Sequence, residues 1–319
     1  MRARSRLVAL ALVAATSLSA CSSSDGPPQR NKRFFAPGSV WNRPLGRHVA
    51  LAPDSAQLVR ELQRQVRSAG AWINTDQYSV PIVTVGAHQR AVRVKLDTRY
   101  APLAKNFARV PVPSNARPAA GGDRHLVVWQ PSTNTLWEFW LMQRRRDGWH
   151  ARWGAKIAHV SRSPGIVPAP EGATASGLPL VGGLMTIGDL RRGRIDHALA
   201  LGIPGVRKGI AVWPADRTDG RISDSRSIPL GTRFRLDPKL DVQALRLPPA
   251  TKAIALAAQR YGIIARDTSG SVSLYAQAPP RGRPHVYHSV FRGVYPNQLL
   301  ARFPWARLQV VRAPQRRVP

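Results

Sequence analysis

One cysteine, Cys21, occurs in 319 residues, and glutamate is almost as scarce, at Glu61, Glu138 and Glu171. A lone thiol builds no disulfide framework, so the folded body must rest on its apolar core. Acidic residues are few altogether: 17 Asp and Glu stand against 48 Lys and Arg, a formal charge of +31. No HExxH, GxGxxG, GxSxG or paired CxxC occurs. Gly182-Gly183 and Asp219-Gly220 are turn chemistry and not phosphate cradles, because neither begins a strand-to-helix loop. Cofactor-dependent redox chemistry and nucleotide hydrolysis are therefore disfavoured, and no cofactor is expected. Long apolar runs are missing as well. The run Leu7 to Ala15 is too short to span a bilayer as a stable helix, and no other run is long enough.

That run follows Arg2, Arg4 and Arg6, the pattern of a secretory signal over residues 1–20. Leu18-Ser19-Ala20-Cys21 then resembles the lipobox of bacterial lipoproteins, which implies cleavage before Cys21 and diacylglycerol on its sulfur. A free thiol after an ordinary signal is the alternative. Each buried methylene contributes about 0.8 kcal/mol, so two or more acyl chains would hold the protein at the outer face of a bacterial cell membrane. Residues 21–38, rich in Ser, Pro, Gly and Arg, read as the lipidated cysteine and a flexible tether. Residues 39–312 read as one folded domain, and 313–319 as a disordered basic tail.

Loss of residues 1–20 removes only three arginines, so the remainder stays strongly basic. Charge of this sign outside the cytoplasm implies attraction to an anionic envelope or extracellular polysaccharide, or to anionic lipid, ahead of nucleic acid. A generally arginine-rich background is the competing account, since basic residues are scattered along the whole chain. Arg144-Arg145-Arg146 is the one tight cluster. It stands where a strand should end in a turn at Asp147-Gly148, which fits a solvated loop.

Short segments rich in β-branched and aromatic residues, bounded by Gly, Pro, Asn or Asp, predict strands over 80–85, 91–96, 126–130, 136–141, 210–213, 233–236, 263–266 and 272–276. Helical periodicity covers Asp54 to Ser68, with Asp54 as cap, and Pro249 to Tyr261, with Gly262 as stop. A shorter helix is expected over Ile187 to Arg191. With 28 prolines spread through the body, this pattern predicts a mainly β fold: a jelly-roll-like two-sheet sandwich with two or three peripheral helices.

Several segments also carry a resemblance. SVWN at 39–42, GDRH at 122–125, LWEFW at 136–140, ASGLPL at 175–180, GRIDHAL at 193–199, WPA at 213–215, FRL at 234–236 and RYGI at 260–263 occur in this order. Their order resembles that in a group of secreted bacterial proteins frequent in actinobacteria, over nearly all of the chain after residue 38. The resemblance brings no activity with it, but it implies that the GDRH and DHAL stretches form a shared feature.

Residues 121–140, GGDRHLVVWQPSTNTLWEFW, thread Asp123, Arg124, His125 and Glu138 through an apolar hairpin. A turn at Pro131 to Asn134 pairs Gln130 with Thr135 and sets His125 diagonal to Glu138 on one face. Three readings compete. Glu138 accepts from Arg124 or His125 in a buried register-fixing network. Alternatively, Asp123, Glu138 and Asp196 supply the acid, base or nucleophile of a glycoside hydrolase, or His125 and His197 serve a lyase whose arginines neutralise a uronate. Or His125, Glu138 and His197 hold a metal ion. The catalytic reading predicts Asp123 or His125 within about 8 Å of Asp196 or His197, with Glu138 between them. Trp149 and Trp153 are weaker candidates for sugar stacking, with core packing the stronger account. His285 and His288 read as surface loop residues. The expectation is a lipid-anchored extracytoplasmic protein that binds or processes an anionic polysaccharide, as hydrolase or lyase if it is an enzyme. The alternative is a non-catalytic envelope protein holding acidic polymers or lipid by its charge.

Overall fold

A computed structural model of the chain describes residues 34–318; the signal segment and Cys21 lie outside them. The first strands are β1 (Ala71–Asn74), β2 (Ile82–Thr84), β3 (Val94–Leu96), β4 (Leu126–Gln130), β5 (Thr135–Trp140), β6 (Gln143–Arg145), β7 (Gly148–Ala151) and β8 (Trp153–Ile157). They continue as β9 (Leu199–Ile203), β10 (Val206–Val212), β11 (Ile228–Leu230), β12 (Arg233–Leu236), β13 (Ile263–Thr268), β14 (Val272–Tyr275), β15 (Leu308–Val310) and β16 (Gln315–Arg317). Six helices accompany them among the described residues: α1 (Ser55–Ala69), α2 (Ala101–Asn106), α3 (Ile187–Arg192), α4 (Pro249–Arg260), α5 (Val286–Val290) and α6 (Pro296–Leu299).

The fold is mainly β, as the strand spacing predicts. Its strands form four sheets, ordered β1-β14-β9-β13-β12-β15, β2-β4-β5-β8, β3-β7-β6 and β11-β10-β16. Parallel ladders join β1 to β14, β9 to β13, β2 to β4, β3 to β7 and β10 to β11. The expected jelly roll is met only at the level of a β-rich chain. Parallel neighbours need long crossovers, and the chain from β9 to its parallel partner β13 runs through β10, β11, β12 and α4.

Three apolar clusters order the layers. One face of the four-stranded sheet, with Leu126, Val128 and Phe139, packs with Val94, Trp149 and α2's Leu103. Its other face, with Val127, Leu136 and Ala155, meets Ala200, Ile264 and Tyr275 of the six-stranded sheet. The far face of that sheet, with Ile73, Leu201 and Ala265, is covered by Leu62 of α1, Leu190 of α3 and Ile254 of α4. Alternating side chains thus serve two cores from one strand, as the two-residue period requires.

The hairpin has the predicted register, Gln130 opposite Thr135 and Val127 opposite Glu138. Its turn is a single 3-10 turn, Pro131–Thr133, closed by Asn134 in the left-handed region at φ 50°, a conformation asparagine tolerates. Asp54 occupies the α1 cap position without a side-chain cap bond. Gly262 ends α4 at φ 87°. Boundaries differ from the sequence reading: β2 and β3 are shorter than the expected 80–85 and 91–96, and β10 begins before 210. Phe35 is buried and Asn42 Nδ2 donates to the carbonyls of Phe34, Phe35 and Ala36, so order begins before residue 39. The basic tail is not disordered: β16 pairs antiparallel with β10. His285 and His288 are exposed as expected, but His288 lies within α5 and His285 at its N-cap.

Candidate functional site

The base of the β4–β5 hairpin carries the polar set. Asp123 and His125 immediately precede β4, and the chain leaves β5 through Leu141, whose N–H donates to the Asp123 carbonyl at 2.8 Å. Arg124 and Leu141 both have positive φ, 43° and 53°. Such strain in bulky residues persists where the surroundings over-determine it, and it concentrates at functional sites. Here it fixes the direction of Asp123, whose Oδ1 accepts from Trp140 Nε1 at 3.1 Å. Trp140 stands opposite Trp153 in the β5–β8 ladder. Both indoles, with Asp123 and His125, line a cavity of about 460 Å³.

The loop from Pro170 to Ala175 forms another wall. It is held from two sides by opposite charges. Glu138, 0% exposed, accepts from the backbone N–H groups of Ala173 at 2.9 Å and Leu180 at 2.8 Å. Arg217 donates to the carbonyls of Pro170, Glu171, Gly172 and Thr174, the last three at 2.7–2.8 Å. Gly172 is confined to glycine by φ 109° and by the Gly177 carbonyl, which would lie 2.4 Å from any Cβ.

The C-terminal half completes the cavity with Asp219, Thr268 and Asp267. Asp267 stands near the end of β13, and its Oδ1 accepts from the Ala175 and Thr268 N–H groups at 3.0 and 3.1 Å. Asp219 Oδ1 accepts from Thr268 Oγ1 at 2.5 Å. Burial pushes Asp267 up to about 7, against the pull of Arg266 and the Ala175 amide and with the help of the Asp123 and Asp219 charges. Burial also raises Glu138 to about 7, although two amides and the Arg266 and Arg217 charges oppose it. His125 moves the other way, down to about 4, through burial and the nearby Arg266 charge, with Asp123 opposing. An acid whose pKa is raised to about 7 and an imidazole whose pKa is lowered to about 4 therefore face one tryptophan-lined space.

Several expected residues serve elsewhere. Arg124 donates to Gln143 Oε1 at 2.9 Å, and Glu138 accepts from backbone rather than from Arg124 or His125. Asp196 accepts from Arg194 Nε at 2.8 Å. His197 Nδ1 lies 2.8 Å from the Ala198 carbonyl, and its Nε2 lies 3.6 Å from Asp189, which forms the α3 capping box with Thr186. Asp267 is in register with Gly202, whereas His197 precedes Leu199. The length of β9 between Leu199 and Gly202, about 10 Å, separates the two polar sets. The DHAL residues lie at the opposite end of the β9–β13 ladder from Asp267, where His197 faces the Asp189 cap of α3, and neither Asp196 nor His197 lines the cavity that holds Asp123 and His125. His125, Glu138 and His197 form no metal site: no group of three or more His, Cys, Asp or Glu able to hold a metal ion is present among the described residues. Trp149 is a core residue, buried beneath Arg144, while Trp153 lines the cavity. Arg145 pairs with Asp97 and Arg144 with the Ser114 carbonyl, so the arginine cluster braces the β6–β7 hairpin.

Asp267, Asp219, Trp140 and Arg217 were not singled out by sequence reasoning. Asp267 lies just past the predicted strand 263–266, and Asp219 precedes a glycine and reads as turn chemistry; only the fold joins them. Comparison with protein-family models, with curated proteins and with solved structures finds no match for this chain.

Proposed function

We propose that the cavity binds and hydrolyses a polysaccharide of the envelope or extracellular space. One observation carries this reading: a protonatable aspartate, Asp267, and a second carboxylate, Asp123, line one cavity walled by two tryptophans. Indole faces stack on the apolar faces of sugar rings, and glycoside hydrolysis needs a carboxylic acid beside a carboxylate. Asp267 gives its proton to the glycosidic oxygen as the bond from that oxygen to the anomeric carbon breaks. Asp123 takes a proton from the water whose oxygen bonds to the same carbon. Glu138 and Arg217 are positioning residues that hold the wall loop by its amides and carbonyls. The +31 charge supports a second, compatible role, retention of an acidic polymer or lipid surface by the basic exterior, and the lipid-bearing Cys21 at the outer membrane face belongs to the same proposal.

The test is release of reducing ends from envelope polysaccharide by the wild type, Asp267→Asn and Asp123→Asn. Each substitution is expected to lower turnover by at least about a hundredfold while sugar binding persists. A wild type without turnover that still retains polymer would reduce the protein to a binder. Full activity in both variants would place the chemistry elsewhere.

A further inference from the structure

We infer that the sugar residue taken into the Trp140–Trp153 cavity carries no acidic group: the site selects a neutral or amine-bearing ring and leaves any uronate, sulfate or phosphate of the polymer outside it. This rests on the proposed glycan site and names its substrate class. It also divides the molecule, because the chain as a whole attracts anions while its cavity does not.

The ionisable groups lining the cavity are Asp123, His125, Arg217, Asp219 and Asp267. Three are carboxyls. The single cation has its two terminal nitrogens committed to four backbone carbonyls. A guanidinium spent in this way offers no fork to a carboxylate or phosphate, and that fork is how arginine recognises acids. His125 is buried, and burial and the Arg266 charge keep it neutral down to about pH 4. Behind the wall, Arg266 is fully buried, donates to the Leu180 and Gly182 carbonyls at 2.7 and 3.0 Å, and stacks 4.2 Å from the Tyr275 ring centre. Its Nε and Nη2 have no hydrogen-bond partner among the described residues, and its charge acts on Glu138 and on the cavity groups His125 and Asp267, but it does not line the cavity. Arg152 is exposed and sits 5.8 Å from the Trp140 ring centre without lining the cavity. An acidic sugar entering the site would meet Asp123 and Asp219 with no cation on the cavity lining free to bind it directly, and like charges in a partly desolvated space repel strongly. Hydroxyl groups meet the opposite situation, since carboxylates accept from them, and an ammonium gains further.

The indole N–H groups of Trp140 and Trp153 donate to Asp123 Oδ1 and the Pro170 carbonyl, so their NMR signals report on cavity occupancy. Trp140→Phe and Trp153→Phe assign them. The full chain is titrated at one ionic strength with glucose, galactose, mannose, arabinose and glucosamine, and with glucuronate and galacturonate. Shifts with the neutral or amino sugars and at least about tenfold weaker response to the uronates are expected, and Asp219→Asn should narrow that gap. Uronates that shift the indoles as strongly as their neutral counterparts would overturn the charge selection and leave the glycan site standing. Indoles unmoved by every sugar would overturn the glycan reading and this inference with it.

Discussion

Glu138 is the residue around which the hairpin makes physical sense. A carboxylate between Trp137 and Phe139 at 0% exposure is costly unless its lone pairs are used, and the amide N–H groups of Ala173 in the wall loop and of Leu180 beyond it use them. Its pKa, raised from 4.5 to about 7 because burial outweighs the two amides, makes the contribution of Glu138 to stability pH-dependent. The folded state binds the extra proton, so the contribution is fully present below about pH 4.5 and is lost as pH rises through about 7. His125, depressed from 6.5 to about 4, has the opposite dependence: its contribution is present above about 6.5 and lost as pH falls through about 4. Comparison with Glu138→Gln isolates the first. Urea unfolding at pH 5 and pH 8 is expected to show wild type losing on the order of 3 kcal/mol relative to the variant over that interval. A constant difference would mean that Glu138 titrates as an exposed carboxyl does.

At the scale of elements, the tryptophans of β7 and β8 divide between core and site. Trp149 on β7 is packed with Leu103 and Phe139, whereas Trp153 on β8 lines the cavity beside Trp140. Trp149→Ala should therefore cost about 3–5 kcal/mol of stability, measured by denaturation. Trp153→Ala should cost markedly less and abolish sugar-induced shifts at Trp140. Reversed costs would interchange core and site. The hairpin was legible in the sequence because everything that sets it is local: a four-residue connection, Pro131 at its start, and alternating side chains. The sheet order was not, because β6, β11, β15 and β16 have three residues each, too few for a period to show. The parallel ladders join segments far apart in sequence; Ala71 meets Val272. The site was half legible for the same reason. Asp123 and His125 are conspicuous at the foot of an apolar hairpin, while Asp267 becomes a site residue only when β13 brings it against the Ala175 amide. His197 misled because a polar pair before an apolar strand also describes a residue facing a helix cap.

For the whole molecule, the exterior and the cavity carry opposite signs. A surface with so large an excess of arginine and lysine should hold acidic polysaccharide through a screened field whose reach shrinks to about 8 Å at physiological salt. Retention on such a polymer is expected to fall steeply between low and physiological salt and to survive Trp153→Ala, because the cavity takes no part in it. Salt-independent retention, lost in that variant, would merge the two surfaces into one. Occupancy of the cavity by a neutral ring should respond little to salt.

The pH dependence of glycan hydrolysis tests the central claim, that a protonated Asp267 is the acid of the cavity. With Asp267 pushed up to about 7, kcat/KM of the wild type should fall about tenfold per pH unit above that value, and Asp267→Asn should leave too little activity to define a limb. A profile that stays level from pH 6 to pH 9, or an Asp267→Asn enzyme that keeps the wild-type rate and profile, would contradict it.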